Sequence, residues 1–212
     1  MKFEEFIKKT GDLPVIDSEI LASGMPDPKA IKVQLCRWQR SGKVIQLKRG
    51  IYILAENYRK VNIYDPYIAS ILKKPSYLSL EKALEFHNLI PEGVSVYTSV
   101  TTKRTAKYSS RLGVFDYRHI KSSLFWGYES VTVDAQTAFI ASPEKALLDF
   151  IYLKGMKIDS AYLNELRLQN VERVNLQKLL SYAKRFQKPG ILMAAEIIRK
   201  YINSYQKQEK TL

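Results

Sequence analysis

In the first 55 residues, helix-capping residues alternate with glycines. These helix start and stop signals constrain the fold more than any other feature of the chain. They predict three short helices, with caps at Asp17 and Asp27 and stops at Gly11, Gly24 and Gly42. Pro28 stands in the first turn of the third helix, where its missing N–H costs no hydrogen bond. Two β-rich runs around a Lys-Arg-Gly turn follow between Val44 and Leu54 and predict a hairpin.

Helix, helix, helix and hairpin in this order are typical of a winged helix-turn-helix, so we predict a DNA-binding domain over residues 1–60. On a helical wheel the third helix has two distinct faces. The face predicted to pack holds Ile31, Gln34, Leu35 and Trp38. The face predicted to be exposed holds Lys29, Lys32, Val33, Cys36, Arg37 and Arg40.

Every charge within the third helix is positive. Like charges three and four residues apart repel one another unless a polyanion is present, which favours DNA as the partner. Lys29, Lys32 and Val33 near the helix start are candidates for base readout, and Arg37 and Arg40 for phosphate contacts. A charged face is also ordinary on an amphipathic surface helix, and that interpretation stays open.

The hairpin turn carries two further candidates for DNA contact, Lys48 and Arg49. A wing in this position can lie along the phosphates or enter a narrow minor groove, where the negative potential attracts cations. The alternative is that both are ordinary turn residues.

The charge of the chain agrees with an anionic partner: the formal net charge is +13 and the pI is near 9.6. The excess lies at the two ends. Residues 1–60 hold 12 basic and 7 acidic side chains, residues 61–155 hold 11 and 9, and residues 156–212 hold 11 and 5.

Several classes of protein are disfavoured by what the sequence lacks. No run approaches the roughly 18 apolar residues of a membrane span, and the start lacks the apolar stretch of a signal peptide, so we expect a cytoplasmic protein with no membrane partner. The single cysteine, Cys36, excludes an internal disulfide and a cysteine-clustered zinc site. Neither a GxGxxG nor a P-loop pattern occurs, and we predict no cofactor, no metal and no catalytic residue.

The remainder, residues 61–212, predicts an α+β domain with a small, mainly antiparallel sheet and a helical tail from about residue 156. Ser79 and Ser142 are predicted to cap helices. Strands are expected over 94–101, 112–120 and 131–141. Asp116, Arg118 and His119 on the second of these could form an acid–base site or a polar sheet face, and the sheet face is favoured.

A hydroxyl-rich basic segment runs from Thr101 to Tyr108 between two of these strands. Its candidate functional residues are Thr101, Thr102, Lys103, Arg104 and Lys107. Such a segment can bind phosphate groups, and it can equally be an exposed loop.

Four blocks of the second domain resemble the AbiEi-type antitoxins of bacterial abortive-infection toxin–antitoxin systems. The blocks are SLEKALEFHNLIP (79–91), VTTKRTAKYSSRLGVFDYRHI (100–120), FWGY (125–128) and IASPEKALLDFIYL (140–153). The preceding GKVIQLKRGIYIL (42–54) resembles the wing of that family's N-terminal winged helix.

The resemblance implies a repressor that binds double-stranded operator DNA of its own operon and counteracts a nucleotidyltransferase-like toxin, without requiring a stable toxin complex. Operators with inverted repeats would hold a dimer or two monomers. The protein itself would not be an enzyme. The residues leave two alternatives: a regulator whose second domain senses a ligand or protein, and a nucleic-acid-processing enzyme, against which the lack of a catalytic signature argues.

Overall fold

The computed structural model describes residues 1–23, 27–155 and 158–209, without the side chains of Ser160 and residues 206–209. The fold is α+β, as the sequence predicts. The predicted helix stop at Gly24 and the turn over residues 24–26 lie outside the described residues. Within the described ranges, no helix combines the length and apolar character needed to cross a membrane.

The N-terminal region consists of helices packed beside a small sheet. Its elements are α1 (Phe3–Thr10), β1 (Ile16–Asp17), α2 (Ser18–Ser23), α3 (Pro28–Arg40), β2 (Val44–Lys48) and β3 (Ile51–Leu54). The strand order is β1-β3-β2, and both pairs are antiparallel. The three predicted helices and the hairpin are therefore confirmed, whereas the two-residue strand β1 was not predicted because it has no pattern of its own.

Side-chain caps start two of these helices where the sequence predicts. The Asp27 carboxylate accepts hydrogen bonds from the backbone N–H groups of Lys29 and Ala30, at 2.9 and 3.2 Å. Asp17 likewise accepts from Glu19 and Ile20. Both caps satisfy N–H groups that have no partner within the helix, so these starts depend only on local sequence.

The second region contains a longer series of helices and strands. Its elements are α4 (Asp65–Leu72), β4 (Ser76–Leu78), α5 (Leu80–Phe86), β5 (Val96–Thr101), β6 (Ala106–Ser110), β7 (Gly113–His119), β8 (Tyr128–Val133), β9 (Gln136–Ala141), α6 (Pro143–Lys154), α7 (Ser160–Glu165), α8 (Leu176–Arg185) and α9 (Pro189–Glu209).

Its sheet has the order β6-β7-β5-β4-β9-β8. The pairs β4–β9 and β5–β7 are parallel, and the other three pairs are antiparallel. The run predicted as one strand over 131–141 is in fact the hairpin β8–β9, and β6 lies within the segment that the sequence leaves between strands. Both missed strands belong to tight hairpins, closed by the pairs Val133–Gln136 and Ser110–Gly113. The two residues of each turn, Asp134-Ala135 and Arg111-Leu112, lack the Asn-Gly or Asp-Gly signature by which such a hairpin is predicted.

Helices cover the two faces of this sheet. On one face lies α4, since the Tyr117 hydroxyl donates to the Ala69 carbonyl of α4 at 2.6 Å. On the other face lie α5 and α6, since the Tyr77 hydroxyl donates to Asp149 of α6 at 2.8 Å. Ser142 caps α6 as predicted, but the predicted Ser79 cap of α5 is wrong: the Ser79 hydroxyl donates to Asp149 instead, at 2.9 Å.

The β2–β3 hairpin joins the two regions. Val44 and Leu54 belong to the N-terminal hydrophobic cluster, whereas Leu47, Ile51 and Ile53 belong to the larger cluster of the second region. The hairpin is thus buried from both sides, and apolar burial of this kind is the main stabilising contribution in a protein interior.

Candidate nucleic-acid interface

Helix α3 presents one buried and one exposed face, as the helical wheel predicts. Ile31, Leu35 and Trp38 are buried, and the Trp38 ring lies 4.6 Å from the Phe6 ring, measured between centroids. Gln34 is half-buried. The aromatic and aliphatic contacts hold the helix in one orientation, so its outer face is a rigid surface.

All six residues predicted on the outer face of α3 are exposed: Lys29, Lys32, Val33, Cys36, Arg37 and Arg40. Val33 keeps 51% of its surface accessible, although it is apolar. An exposed branched apolar side chain among cations is suited to contact with a thymine methyl group.

The cations of this face are not ion-paired in the part of the chain that the structure describes. Among the ion pairs within 4.0 Å that the described residues form, none involves Lys29, Lys32, Arg37 or Arg40. We call these four residues together with Val33 the α3 face. Its charge is uncompensated within the described chain, and uncompensated cations on one helix face attract a polyanion.

The two cations at the hairpin turn point in different directions. Arg49 is exposed, whereas the Lys48 ammonium donates to the Leu72 carbonyl of α4 at 2.5 Å and lies 6.0 Å from the Tyr108 ring. Burial lowers the pKa of Lys48, and the neighbouring Lys73, Lys103 and Lys74 lower it further, against the opposing effect of Asp17. Lys48 therefore links the hairpin to the second region, and its ammonium group is not available for the predicted DNA contact.

The segment from Thr101 to Lys107 is divided between core and surface. Thr101 is buried and its hydroxyl donates to the Pro75 carbonyl at 2.7 Å, which excludes it as a contact residue. Thr102 is half-buried. Lys103, Arg104 and Lys107 are exposed, and the segment is a strand edge from Ala106 onward rather than a loop throughout.

A cleft of about 660 Å³ opens on the uncovered part of the second sheet, beside the N-terminus of α5. Asp116 and Arg118 line it and form an ion pair at 3.0 Å, and Glu81 and Lys154 form another at 2.7 Å. These pairs agree with the prediction that Asp116 and Arg118 belong to a polar sheet face. Within the described residues, no group of three or more histidine, cysteine or acidic side chains is placed to hold a metal.

Helix α6 contains a buried ion pair, between Lys145 and Asp149, that the sequence did not predict. Both side chains are fully buried, and Asp149 also accepts from Tyr77 and Ser79. The Lys145 ammonium lies 4.9 Å from the Trp126 ring centroid. Burial raises the pKa of Asp149 and lowers that of Lys145, while each charge opposes the shift of the other.

Three of the four sequence blocks that resemble the AbiEi-type antitoxins contribute residues around this pair. Ser79 comes from the first block, Trp126 from the third, and both members of the pair from the fourth. Neither a protein-family model nor a curated protein matches the chain. The resemblance therefore stays a prediction.

Proposed function

We propose that this protein is a sequence-specific, DNA-binding transcriptional regulator that acts in the cytoplasm through an N-terminal winged helix-turn-helix. The observation that carries the proposal is the α3 face: four cations with no ion-pair partner among the described residues and one exposed valine, on a helix anchored by buried aromatic rings. Rigid anchoring matters because base readout requires donors held at fixed positions relative to the groove.

The roles of the residues follow from their places along the helix. We assign base contacts to Lys29, Lys32 and Val33 in the first half of α3, which in this motif enters the major groove. Arg37 and Arg40 in the second half contact phosphates, as does Arg49 on the wing. The partner is double-stranded operator DNA, bound by a dimer or by two monomers on inverted repeats.

The test is an anisotropy titration against DNA upstream of the protein's own gene and against scrambled DNA of equal length. We expect tight binding to the first DNA only, and we expect the Lys32→Ala/Arg37→Ala variant to lose this preference. Loss of a base contact costs about 1–3 kcal/mol, and loss of a phosphate contact reduces the dependence of log K on log salt by about one.

The matched control removes two exposed cations from the C-terminal helices α8 and α9, Lys184→Ala/Lys200→Ala, and so makes the same change in net charge. We expect it to bind as the wild type does. Equal, weak binding of the wild type to both DNAs, unaffected by either variant, would contradict the proposed function.

We further propose that the regulator is an autorepressing antitoxin that counteracts a nucleotidyltransferase-like toxin without a stable complex. The support is the resemblance of the four blocks, and the structure adds that these blocks share one core. Co-expression with the product of a neighbouring nucleotidyltransferase-like gene should restore growth, and the Lys32→Ala/Arg37→Ala variant should still do so. Failure of the wild type to restore growth would remove the antitoxin role and leave the regulator.

The alternative function is a regulator whose second domain senses a ligand or protein. The cleft between β5, β7 and the N-terminus of α5 favours it, because its apolar floor and four charged groups could hold a small polar molecule. A gene neighbourhood without a toxin would favour this alternative.

A further inference from the structure

The wing strand β2 lies beside β6, the edge strand of the second sheet. At one end, Arg111 after β6 has its Nη1 3.9 Å from the position that a Cβ at Gly42 would occupy. At the other end, Lys48 of β2 lies over the Tyr108 ring of β6 at 6.0 Å. Strands β2 and β6 are therefore neighbours, and Leu47 of β2 lies in the same hydrophobic cluster against which Ala106 and Tyr108 of β6 pack.

The wing tip rests on two adjoining turns of the second region. Lys48 donates to Leu72, and Lys73 and Lys74 follow directly in the chain. Lys103 is close enough that its charge, like those of Lys73 and Lys74, acts on Lys48. Cations from two separate segments thus lie around the end of the hairpin.

Both turns are held in place by one buried threonine. The Thr101 hydroxyl donates to the Pro75 carbonyl at 2.7 Å and accepts from the Lys103 backbone N–H at 3.2 Å. The His119 Nδ1 contacts the Lys103 carbonyl at 3.1 Å. The backbone beneath these cations is consequently ordered before any partner arrives, which lowers the entropic cost of binding.

The exposed cations around the tip have no carboxylate partners. Within the described residues, neither Lys74, Lys103 nor Arg104 forms an ion pair within 4.0 Å. The nearby Asp17 caps α2, and its charge acts on Lys48. Unpaired like charges held together by a fixed backbone repel one another, and a row of phosphates removes that repulsion.

We propose that the DNA surface continues from the wing onto the second region, where Lys74, Lys103 and Arg104 contact phosphates beside the wing tip. The hydroxyl-rich segment of the second region is then part of the nucleic-acid interface. Duplex DNA carries one negative charge per about 1.7 Å of axis, so a wing laid on the backbone brings adjacent protein surface against further phosphates. This inference rests on the proposed DNA-binding function.

The test compares the wild type with Lys103→Gln/Arg104→Gln on the upstream DNA over a series of salt concentrations. Two lost phosphate contacts should reduce the slope of log K against log salt by about 1.8, since each contributes about 0.9. Binding should then be weaker on the order of 30-fold at 0.15 M salt and converge with the wild type near 1 M. The preference for upstream over scrambled DNA should persist, because phosphates carry no sequence information.

Lys184→Gln/Lys200→Gln again serves as the charge-matched control and should keep the wild-type slope. In hydroxyl-radical footprinting, the DNA region protected by Lys103→Gln/Arg104→Gln should be shorter on one side than the region protected by the wild type. A wild-type slope and footprint for Lys103→Gln/Arg104→Gln, with wild-type binding intact, would overturn this inference alone and reassign the segment to a protein partner or to the fold. Absence of specific binding by the wild type would overturn the proposed function and this inference with it.

Discussion

The charges of the α3 face and those of the Lys145–Asp149 pair lie in opposite environments, one exposed to water and one buried. Lys29, Lys32 and Arg37 are exposed and form no ion pair within 4.0 Å among the described residues, whereas Lys145 is fully buried and ion-paired. An exposed cation is solvated, so it needs no protein partner for stability and can exchange water for phosphate. A buried cation has lost its water and requires the carboxylate.

The two sets of charges are therefore expected to have different roles: the α3 face binds a partner, and the buried pair stabilises the fold. Removing a cation from the α3 face should affect binding and leave stability nearly unchanged. Removing one member of the buried pair should affect stability first, because it leaves a charge without a partner in the core. The first prediction tests this division directly, and two predictions of smaller effects follow it.

The Lys145→Met variant should lose about 3–5 kcal/mol of the free energy of unfolding, since it strands the Asp149 carboxylate in the core. Arg37→Gln should change the same quantity by no more than about 0.5 kcal/mol. Urea denaturation followed by circular dichroism measures both. The double variant Lys145→Met/Asp149→Leu should recover part of the loss.

Comparable losses for Lys145→Met and Arg37→Gln would remove the distinction between the two sets of charges. Failure of the double variant to improve on Lys145→Met would show instead that the geometry of the pair, rather than charge compensation, stabilises the core.

Replacement of the α3 cap, Asp27→Ala, should cost about 1 kcal/mol of stability, because two backbone N–H groups lose their acceptor. The matched variant Asp27→Ser retains a side-chain oxygen and should stay within a few tenths of the wild type. Thermal denaturation compares the two. Equal behaviour of both variants would mean that packing of Trp38 and Phe6, not the cap, determines where α3 begins.

The pH dependence of stability offers the smallest effect. Burial lowers the pKa of His87, whose Nε2 donates to the Ala141 carbonyl at 2.7 Å. The unfolded chain then binds a proton more readily, so the free energy of unfolding should fall as the pH drops below the ordinary histidine value of about 6.5. Denaturation at pH 7.5 and pH 5.5 should show a smaller fall for His87→Gln than for the wild type. Identical pH profiles for the wild type and His87→Gln would refute this assignment.

The sequence predicted elements whose causes are local. Asp17, Asp27 and Ser142 each cap the helix expected of them, and the two faces of α3 follow from its 3.6-residue period. It failed where a side chain has a distant partner: Ser79 has the composition of a cap but bonds Asp149, which lies 70 residues away along the chain. Lys48 has the position of a wing contact but bonds Leu72.

By itself, the sequence determined the three N-terminal helices, the β2–β3 hairpin, the exposed basic face of α3 and the α+β class, because caps, glycines and periodicity act over a few residues. Only the tertiary structure decided which cations are free. Lys145, Lys48 and Lys103 are all lysines, and the sequence did not predict their different environments. Long-range packing removes water from Lys145, turns Lys48 toward α4 and leaves Lys103 at the surface near the β2–β3 hairpin.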